Sequence, residues 1–543
     1  MIPSCIPYTQ APKATALFLD YLYHFDRVQD FYGGPPQEFL SYQRIAQEIS
    51  GRYPHRAALA EILEGQNRAF GCGEETLANI RRLRDPEVFA VVTGQQVGLF
   101  SGPAFTFYKA LTAVSVARSL SEQGLPSVPV FWLATEDHDL EEVSKTAILN
   151  EAGKLVTLEA AGDRPAAGSS VGYIRLREQV RELLEITEQT LPEGEPRARL
   201  MEDLRASYLP GTGWGEAFGC FMTRLFSRFG VILLDPLNDP VHRLAQGVYE
   251  RALTQASRLR TLLQDRSTTL EKSKYHAQVH VGDDSTLLFV RTPNGRTAIH
   301  QKGDQFLVEG QPSASMPDFQ KQLSAEPLDF TPSALLRPVI QDSLLPSVAY
   351  IAGPAELAYF AQAQAIYPEF GRPIPVIHPR AGFTLADRRQ QRLIEKYHLS
   401  LEDVWQGKEH LGQQIATASF GENGDWAGRM ERGEKSIKEL FEGLQQDVER
   451  IDRTLADAAR TTREKMIYQL ERLRGKISRA ALDRSELLSR HEQELLRFLA
   501  PAGNFQEREV GGIYFLARGG YELLDWLLAQ LQSRCMDHQF LAY

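Results

Sequence analysis

The chain has 543 residues, 43% of them hydrophobic and 24% charged, with a formal net charge of -10. This is the balance of a globular protein large enough for several domains, and its acidic excess argues against extended nucleic-acid binding, which selects clustered Lys and Arg. No segment approaches a membrane-spanning run, and the opening MIPSCIPYTQAPKATALFLDYL lacks a basic region followed by a sustained apolar stretch, so a cytoplasmic protein without membrane contact is expected. Cys5, Cys72, Cys220 and Cys535 are scattered without CxxC spacing and read as free thiols, not as a disulfide framework or zinc site.

Residues 1 to 85 read as amphipathic helices beside a core. Two buried strands follow, Val88 to Val92 and Val128 to Leu133, rich in β-branched and aromatic residues and each ending in loop chemistry. Between them Pro103 to Leu120 has helical spacing, with Phe107, Leu111, Val114 and Ala117 on one stripe and Pro103 suited to the first helical position. The order strand, loop, helix, strand, loop makes a βαβ unit, and open α/β sheets bind ligands at the carboxyl ends of their strands.

The first loop carries Gly94, Gly98 and Gly102 at intervals of four, which matches neither the P-loop nor the G-x-G-x-x-G fingerprint. Its glycines and the helix start behind them could hold phosphate or carboxylate, with Gln95, Gln96 and Lys109 adding polar groups. The alternative is a turn whose glycines only satisfy backbone geometry. The second loop holds Glu136, Asp137, His138 and Asp139 in succession, with Glu141 and Glu142 behind. Four ionisable groups after a buried strand call for solvent, a metal or a charged substrate, unless they form the acidic first turn and cap of a helix starting near Asp139. No second His or Cys stands at zinc-ligand spacing, so no protein metal site is expected, while Mg²⁺ could be held by one or two carboxylates with substrate phosphates.

Asn150 to Pro210 is charged and marked by Pro and Gly, as an insertion would be. Gly230 to Asp235 is a further buried strand that places Asp235 at the same sheet edge. Between Gln278 and Val308, alternating runs broken by Pro293-Asn294-Gly295 and Gly303 read as hairpins of a second insertion. The core resumes near Leu335, with strands at Val348 to Ala352 and Ile374 to His378. Gly353-Pro354 then opens a helix carrying Glu356 and Tyr359, either as a second pocket wall or simply as a helix start. His378 would face a cleft only if its strand is central.

Beyond Arg429, Ile437, Phe441, Leu444, Val448, Ile451, Leu455 and Ala458 alternate steps of four and three, as do Met466, Leu470, Leu473 and Ile477. The phase shifts between Ala458 and Met466, through either a stutter in one helix or a bend between two. Gln506, Glu507 and Arg508, in PAGNFQER, either return to the core or line a second nucleotide pocket.

The runs TGQQVGLFSGPAFTFYKA and TEDHDLEEV, with YIAGPAELAYFAQ, IPVIHPRAGFTL and PAGNFQER, resemble the bacillithiol synthase family nearly end to end. That resemblance implies an α/β fold with a Rossmann-like core similar to class I nucleotidyltransferases, connecting insertions and an α-helical coiled-coil domain supporting a homodimer. It implies a ligase that joins the cysteine carboxyl to the amino group of glucosaminyl malate. By position, Thr93 to Gln96 end the first strand of such folds and Gly98 to Thr106 occupy the place of the synthetases' HIGH loop. No His-x-Gly-His is present there, and the KSK at Lys272 to Lys274 lies in an insertion. SKYHAQVH departs from the Gly-Tyr expected before its glutamine, so Tyr275 to His280 either tolerates change or has another role.

The expected organisation is a core over 1–390 with insertions near 150–210 and 245–333, a helical coiled coil over 391–500, and a segment over 501–543 that packs back on the core. Amide formation needs an activated carboxyl, so ATP is the expected cosubstrate. Glu136, Asp137 and Asp139 would recognise ammonium groups and His138 would assist deprotonation of the amine. Thr93, Gly94, Gln95, Gln96, Gly98, Gly102, Thr106, Lys109, Asp235, Gly353, Glu356, Tyr359 and His378 are the expected binding set. A nucleotidyltransferase or metal-assisted hydrolase could use the same cleft, and a non-catalytic coiled-coil interaction protein would have its pocket filled by its own side chains.

Overall fold

The computed structural model describes residues 4–166, 168–420, 426–449, 452–531 and 535–543. Five parallel strands form the core sheet: β1 (Phe89–Gln95), β2 (Ser127–Leu133), β3 (Ile232–Leu234), β4 (Ser347–Ala352) and β5 (Val376–Pro379), in the order β5-β4-β1-β2-β3. Their runs are apolar on both faces because helices cover both faces, the rule for parallel sheets. Helix α1 (Phe105–Glu122) returns β1 to β2, α2 (Asp239–Thr254) follows β3, and α3 (Pro354–Ala363) follows β4. From β1 the chain moves to β2 on one side and later to β4 on the other, so the carboxyl ends of β1 and β4 flank a topological switch point. The five strand ends expected to share one sheet do so.

Residues before β1 form helices, as read from the sequence, including Phe39–Ile49 and Arg56–Ala69. The first insertion carries an antiparallel pair, Lys145–Leu149 with Leu155–Glu159, and helices Val180–Thr190 and Glu195–Ser207. The second holds the expected hairpin, Ser285–Thr292 with Gly295–Lys302, inside a five-stranded antiparallel sheet. The two insertions touch where the Arg296 N–H donates to the Gly168 carbonyl at 2.8 Å. A Cβ on Gly295, whose φ is +103°, would stand 2.3 Å from the Gly168 backbone, so this contact requires glycine.

A small sheet gathers distant parts of the chain: Ser4–Ile6, His538–Ala542 and Gly382–Ala386 lie side by side. It brings Cys5 and Cys535 together as a disulfide, which corrects the reading of four free thiols, while Cys72 and Cys220 are free and partly buried. A separation of 530 residues conceals that pairing from any spacing argument.

The coiled-coil seam resolves into α4 (Trp426–Glu449) and α5 (Arg453–Asp483), packed against each other. The run from Ile437 to Ala458 is divided between these helices, and Ile451 lies outside the described residues. The phase shift between Ala458 and Met466 falls inside α5, so it is a stutter within one helix. Phe441 is buried in the hairpin, whereas Leu444, Leu455, Met466 and Leu473 are exposed on the single chain.

Candidate active site

A cavity of about 690 Å³ opens at the switch point and adjoins a second, outer chamber of about 700 Å³, with wall residues in common that include Gln95, Gln96, Phe105 and Arg508. The inner chamber is lined by the loops after β1, β2 and β4 and roofed by the 285–302 hairpin. The Gln96 amide donates to Asp137 Oδ2 at 2.7 Å and thereby joins the two sequence clusters.

One end is acidic. Asp137 also accepts from the His138 backbone N–H at 2.7 Å, and the His138 ring stands 3.5 Å from its Oδ1. Burial would raise the Asp137 pKa, but hydrogen bonds from His138 and Gln96 and the charge of Arg296 outweigh it and hold the carboxyl well below the usual carboxylate range. Glu136 is 6% exposed, lines the cavity, and faces His242 of α2 at 3.2 Å. The His138 side chain is 52% exposed and 3.4 Å from the Arg296 guanidinium. Arg296 lies over the Phe289 ring at 3.7 Å and donates to Thr331 Oγ1 and the Pro332 carbonyl, so its planar head is held in place.

The opposite wall is cationic. Lys109 is buried, forms an ion pair with Glu356, and donates to the Gly94 carbonyl at 2.8 Å and Gln95 Oε1 at 2.9 Å. Burial draws its pKa down against the pull of Glu356. Glu356 also accepts from Tyr350 Oη and the Gly353 N–H, each at 2.7 Å, so one carboxylate caps α3 and anchors α1. Arg337 donates to Tyr359 Oη at 2.7 Å and Gln341 Oε1 at 2.9 Å. Arg380 is buried and paired with Glu507, whose second oxygen accepts from the Phe383 N–H at 2.8 Å. Among the described residues the Arg508 side chain makes no hydrogen bond or ion pair, and it lines both chambers. The four cations named here outnumber the two carboxylates paired with them, while Glu142 also lines both chambers and Glu509 the outer one.

Of the residues expected from sequence, Gly94, Gln95, Gln96, Lys109, Glu136, Asp137, His138, Gly353, Glu356 and Tyr359 line the inner chamber, and Gly98 lines the outer one. The others line neither chamber, although Asp139 borders a smaller cavity beside Gln96, Asp137 and His138. Thr93 is buried in the sheet and donates to the Ile351 carbonyl at 3.1 Å. Asp139 caps the short helix Leu140–Val143 by accepting from the Glu142 N–H, so the helix-cap reading holds for this one member of the acidic run. Asp235 accepts from Thr135 and from the Leu237 N–H, is raised in pKa by burial, and lies outside both chambers. His378 sits on β5, an edge strand, where it meets Tyr42 Oη at 2.8 Å, and burial lowers its pKa to about 4.

The helix start after the first loop is also partly occupied. Helix α1 begins at Phe105, two residues beyond Pro103, and the Ala104 N–H donates to the Val510 carbonyl while the Gly512 N–H donates to the Gly102 carbonyl. A Cβ on Gly98 would stand 2.9 Å from Gly102 Cα, and Gly102 has φ +69°, so this glycine pair serves close backbone packing. Thr106 is buried within α1 and lines neither chamber. The C-terminal segment thus takes one backbone donor at that helix start, while Gly98, Pro103 and Phe105 line the outer chamber.

Sequence reasoning missed Arg296, Arg337 and His242, and passed over Arg380. Arg380 stands two residues after His378, and its backbone N–H donates to the Ala352 carbonyl, so the loop end and not the strand end reaches the cleft. The unusual stretch before Gln278 carried a usable signal: His276 and Gln278 line the outer chamber and His280 the inner one. Lys272 to Lys274 line neither chamber.

A Rossmann-like sheet with an open, charge-divided cleft at its switch point and a helical hairpin appended defines a Rossmann-like protein with a C-terminal coiled-coil domain. The family described as bacillithiol biosynthesis BshC, N-terminal Rossmann-like domain, matches residues 1–381, and its C-terminal coiled-coil domain matches residues 383–543. The chain belongs to the BshC family. It is 37% identical to a Koribacter versatilis protein over 99% of both chains and 34% identical to one from Solibacter usitatus over 99% of both. A Salinibacter ruber relative is 33% identical over 96% of this chain and 95% of its own. All three bear the name "Putative cysteine ligase BshC". Among the described residues no helix is long and apolar enough to cross a membrane.

Proposed function

We propose that the protein is an ATP-dependent cysteine ligase that joins the cysteine carboxyl to the amino group of glucosaminyl malate. The observation that carries this reading is the division of one cavity into an acidic end, Glu136 and Asp137, and a wall bearing the cations Lys109, Arg337, Arg380 and Arg508. Such a cleft suits substrates bearing both ammonium and carboxylate groups, and holding both reactants converts a bimolecular step into a local one. The acidic end receives the amine, and His138 takes up the proton released when nitrogen attacks the activated carboxyl. The cationic wall receives carboxylates, and the Arg508 side chain, without a partner between the chambers, receives the phosphate of the activated intermediate or its nucleotide.

No group of three or more His, Cys, Asp or Glu side chains converges among the described residues. A Mg²⁺ ion would therefore arrive on the nucleotide phosphates, with Glu136 or Asp137 as the available protein carboxylates. The open cavity supports an enzyme over a scaffold whose pocket is filled, and the exposed apolar residues of α4 and α5 support a homodimer through the coiled coil. Incubating the protein with cysteine, glucosaminyl malate and ATP-Mg²⁺ tests the reading: a thiol product with AMP and pyrophosphate means an adenylate, and ADP with phosphate an acyl phosphate. ATP hydrolysis or nucleotidyl transfer without a coupled thiol product would favour the hydrolase or nucleotidyltransferase alternative.

A further inference from the structure

The acidic end has a second layer. His242, 1% exposed on α2, presents Nε2 to Glu136 Oε1 at 3.2 Å, off the line of a straight hydrogen bond, and neither atom has another partner. Its Nδ1 lies 3.0 Å from the Pro327 carbonyl, and its ring stacks on Tyr249 with centroids 5.5 Å apart. A carbonyl oxygen only accepts, so Nδ1 carries the hydrogen. Nε2 then faces the carboxyl either as a bare nitrogen opposite a protonated Glu136 or as an N–H opposite its carboxylate. Two lone pairs facing each other across 3.2 Å in a buried site would repel, so one proton belongs in the gap.

We propose that His242 is a positioning residue: it shares this proton with Glu136 and so sets the charge and orientation of the carboxylate that meets the substrate amine. The charged and titratable groups around the pair are consistent with that role. Arg296 acts on Glu136 from the hairpin, and buried Asp235 acts on both members from the loop after β3. Tyr249 and Tyr173, the other neighbours, have pKa values raised by burial and stay neutral. Without the imidazole, the buried oxygen of Glu136 would face no polar side chain, and the carboxyl would lose the contact that fixes its orientation toward an ammonium.

The assignment of the amine to Glu136 rests on the proposed ligase activity; the shared proton does not, and the two are tested separately. In full-length protein labelled with ¹⁵N-histidine, the His242 ring should show a protonated Nδ1 across the neutral pH range and an Nε2 resonance that moves in Glu136→Gln. A bare Nδ1, or an Nε2 resonance indifferent to Glu136→Gln, overturns the pairing. His242→Gln retains a side-chain donor but cannot titrate. It should fold normally, raise KM for the amine about tenfold with a smaller change in kcat, and shift the acid limb of kcat/KM, whereas His242→Phe should also lose stability. A His242→Gln pH profile superimposable on the wild type overturns the positioning role. Absence of thiol product from the wild type, with the NMR coupling intact, would sink the ligase reading and leave the pairing standing.

Discussion

The amide of Gln96 donates to the carboxylate of Asp137 at 2.7 Å, tying the loop after β1 to the loop after β2. One hydrogen bond across two strand ends turns separate sequence clusters into one wall, and it distinguishes Asp137 from Asp139, two residues on, which is spent as a helix cap.

That distinction gives a paired experiment. Asp139→Ala should cost about 1 kcal/mol of stability and leave product formation intact. Asp137→Asn should leave the protein folded and lower kcat/KM on the order of a hundredfold or more, because a desolvated partner for a substrate charge is lost. Full activity in Asp137→Asn would remove it from the site.

Lys109 and Glu356 are a buried pair, and breaking one side leaves the other charge unsatisfied. Lys109→Met should destabilise the fold by about 3 to 5 kcal/mol, and adding Glu356→Gln should restore much of the loss. Urea unfolding of the two single variants and the double variant measures this coupling directly, and additive losses would refute it.

His378 predicts a pH dependence far from the cleft. Burial lowers its pKa from 6.5 to about 4, so between these values the unfolded chain binds more protons than the folded one. Its contribution to stability is intact above pH 6.5 and lost as pH falls toward 4, to a limit on the order of 3 kcal/mol. His378→Gln removes the titration, so melting temperatures recorded across this range should fall less steeply than in the wild type.

The homodimer reading predicts that Leu444→Asp with Leu473→Asp converts a dimer to a folded monomer, since both side chains are exposed on the single chain, Leu444 at 41%. Light scattering with circular dichroism reads this. An unchanged mass with helicity retained would exclude this face as the contact.

Local pattern was enough to locate the strands ending at Gln95, Leu133, Leu234 and Ala352, because apolar runs flanked by glycine and acidic loops are properties of neighbouring residues. It also placed the helical coiled-coil region, whose heptad spacing is equally local, although the run from Ile437 to Ala458 is divided between two helices. The acidic run and the Gln95-Gln96 pair were visible for the same reason.

Which side chains face the cavity was decided by tertiary structure. His378 and Arg380 are two positions apart, yet β5 lies at the sheet edge, so the histidine is buried against Tyr42 while the arginine reaches the cleft. Arg296 arrives from an insertion and His242 from the helix after β3, each more than 100 residues from the acidic loop it serves. The helix start at Phe105 had every local mark of an anion site, but the Ala104 N–H there already donates to the Val510 carbonyl. Periodicity reports only a residue's own turn or strand; charge compensation, proton sharing and access to a cleft depend on partners that only the folded chain brings within a few ångströms.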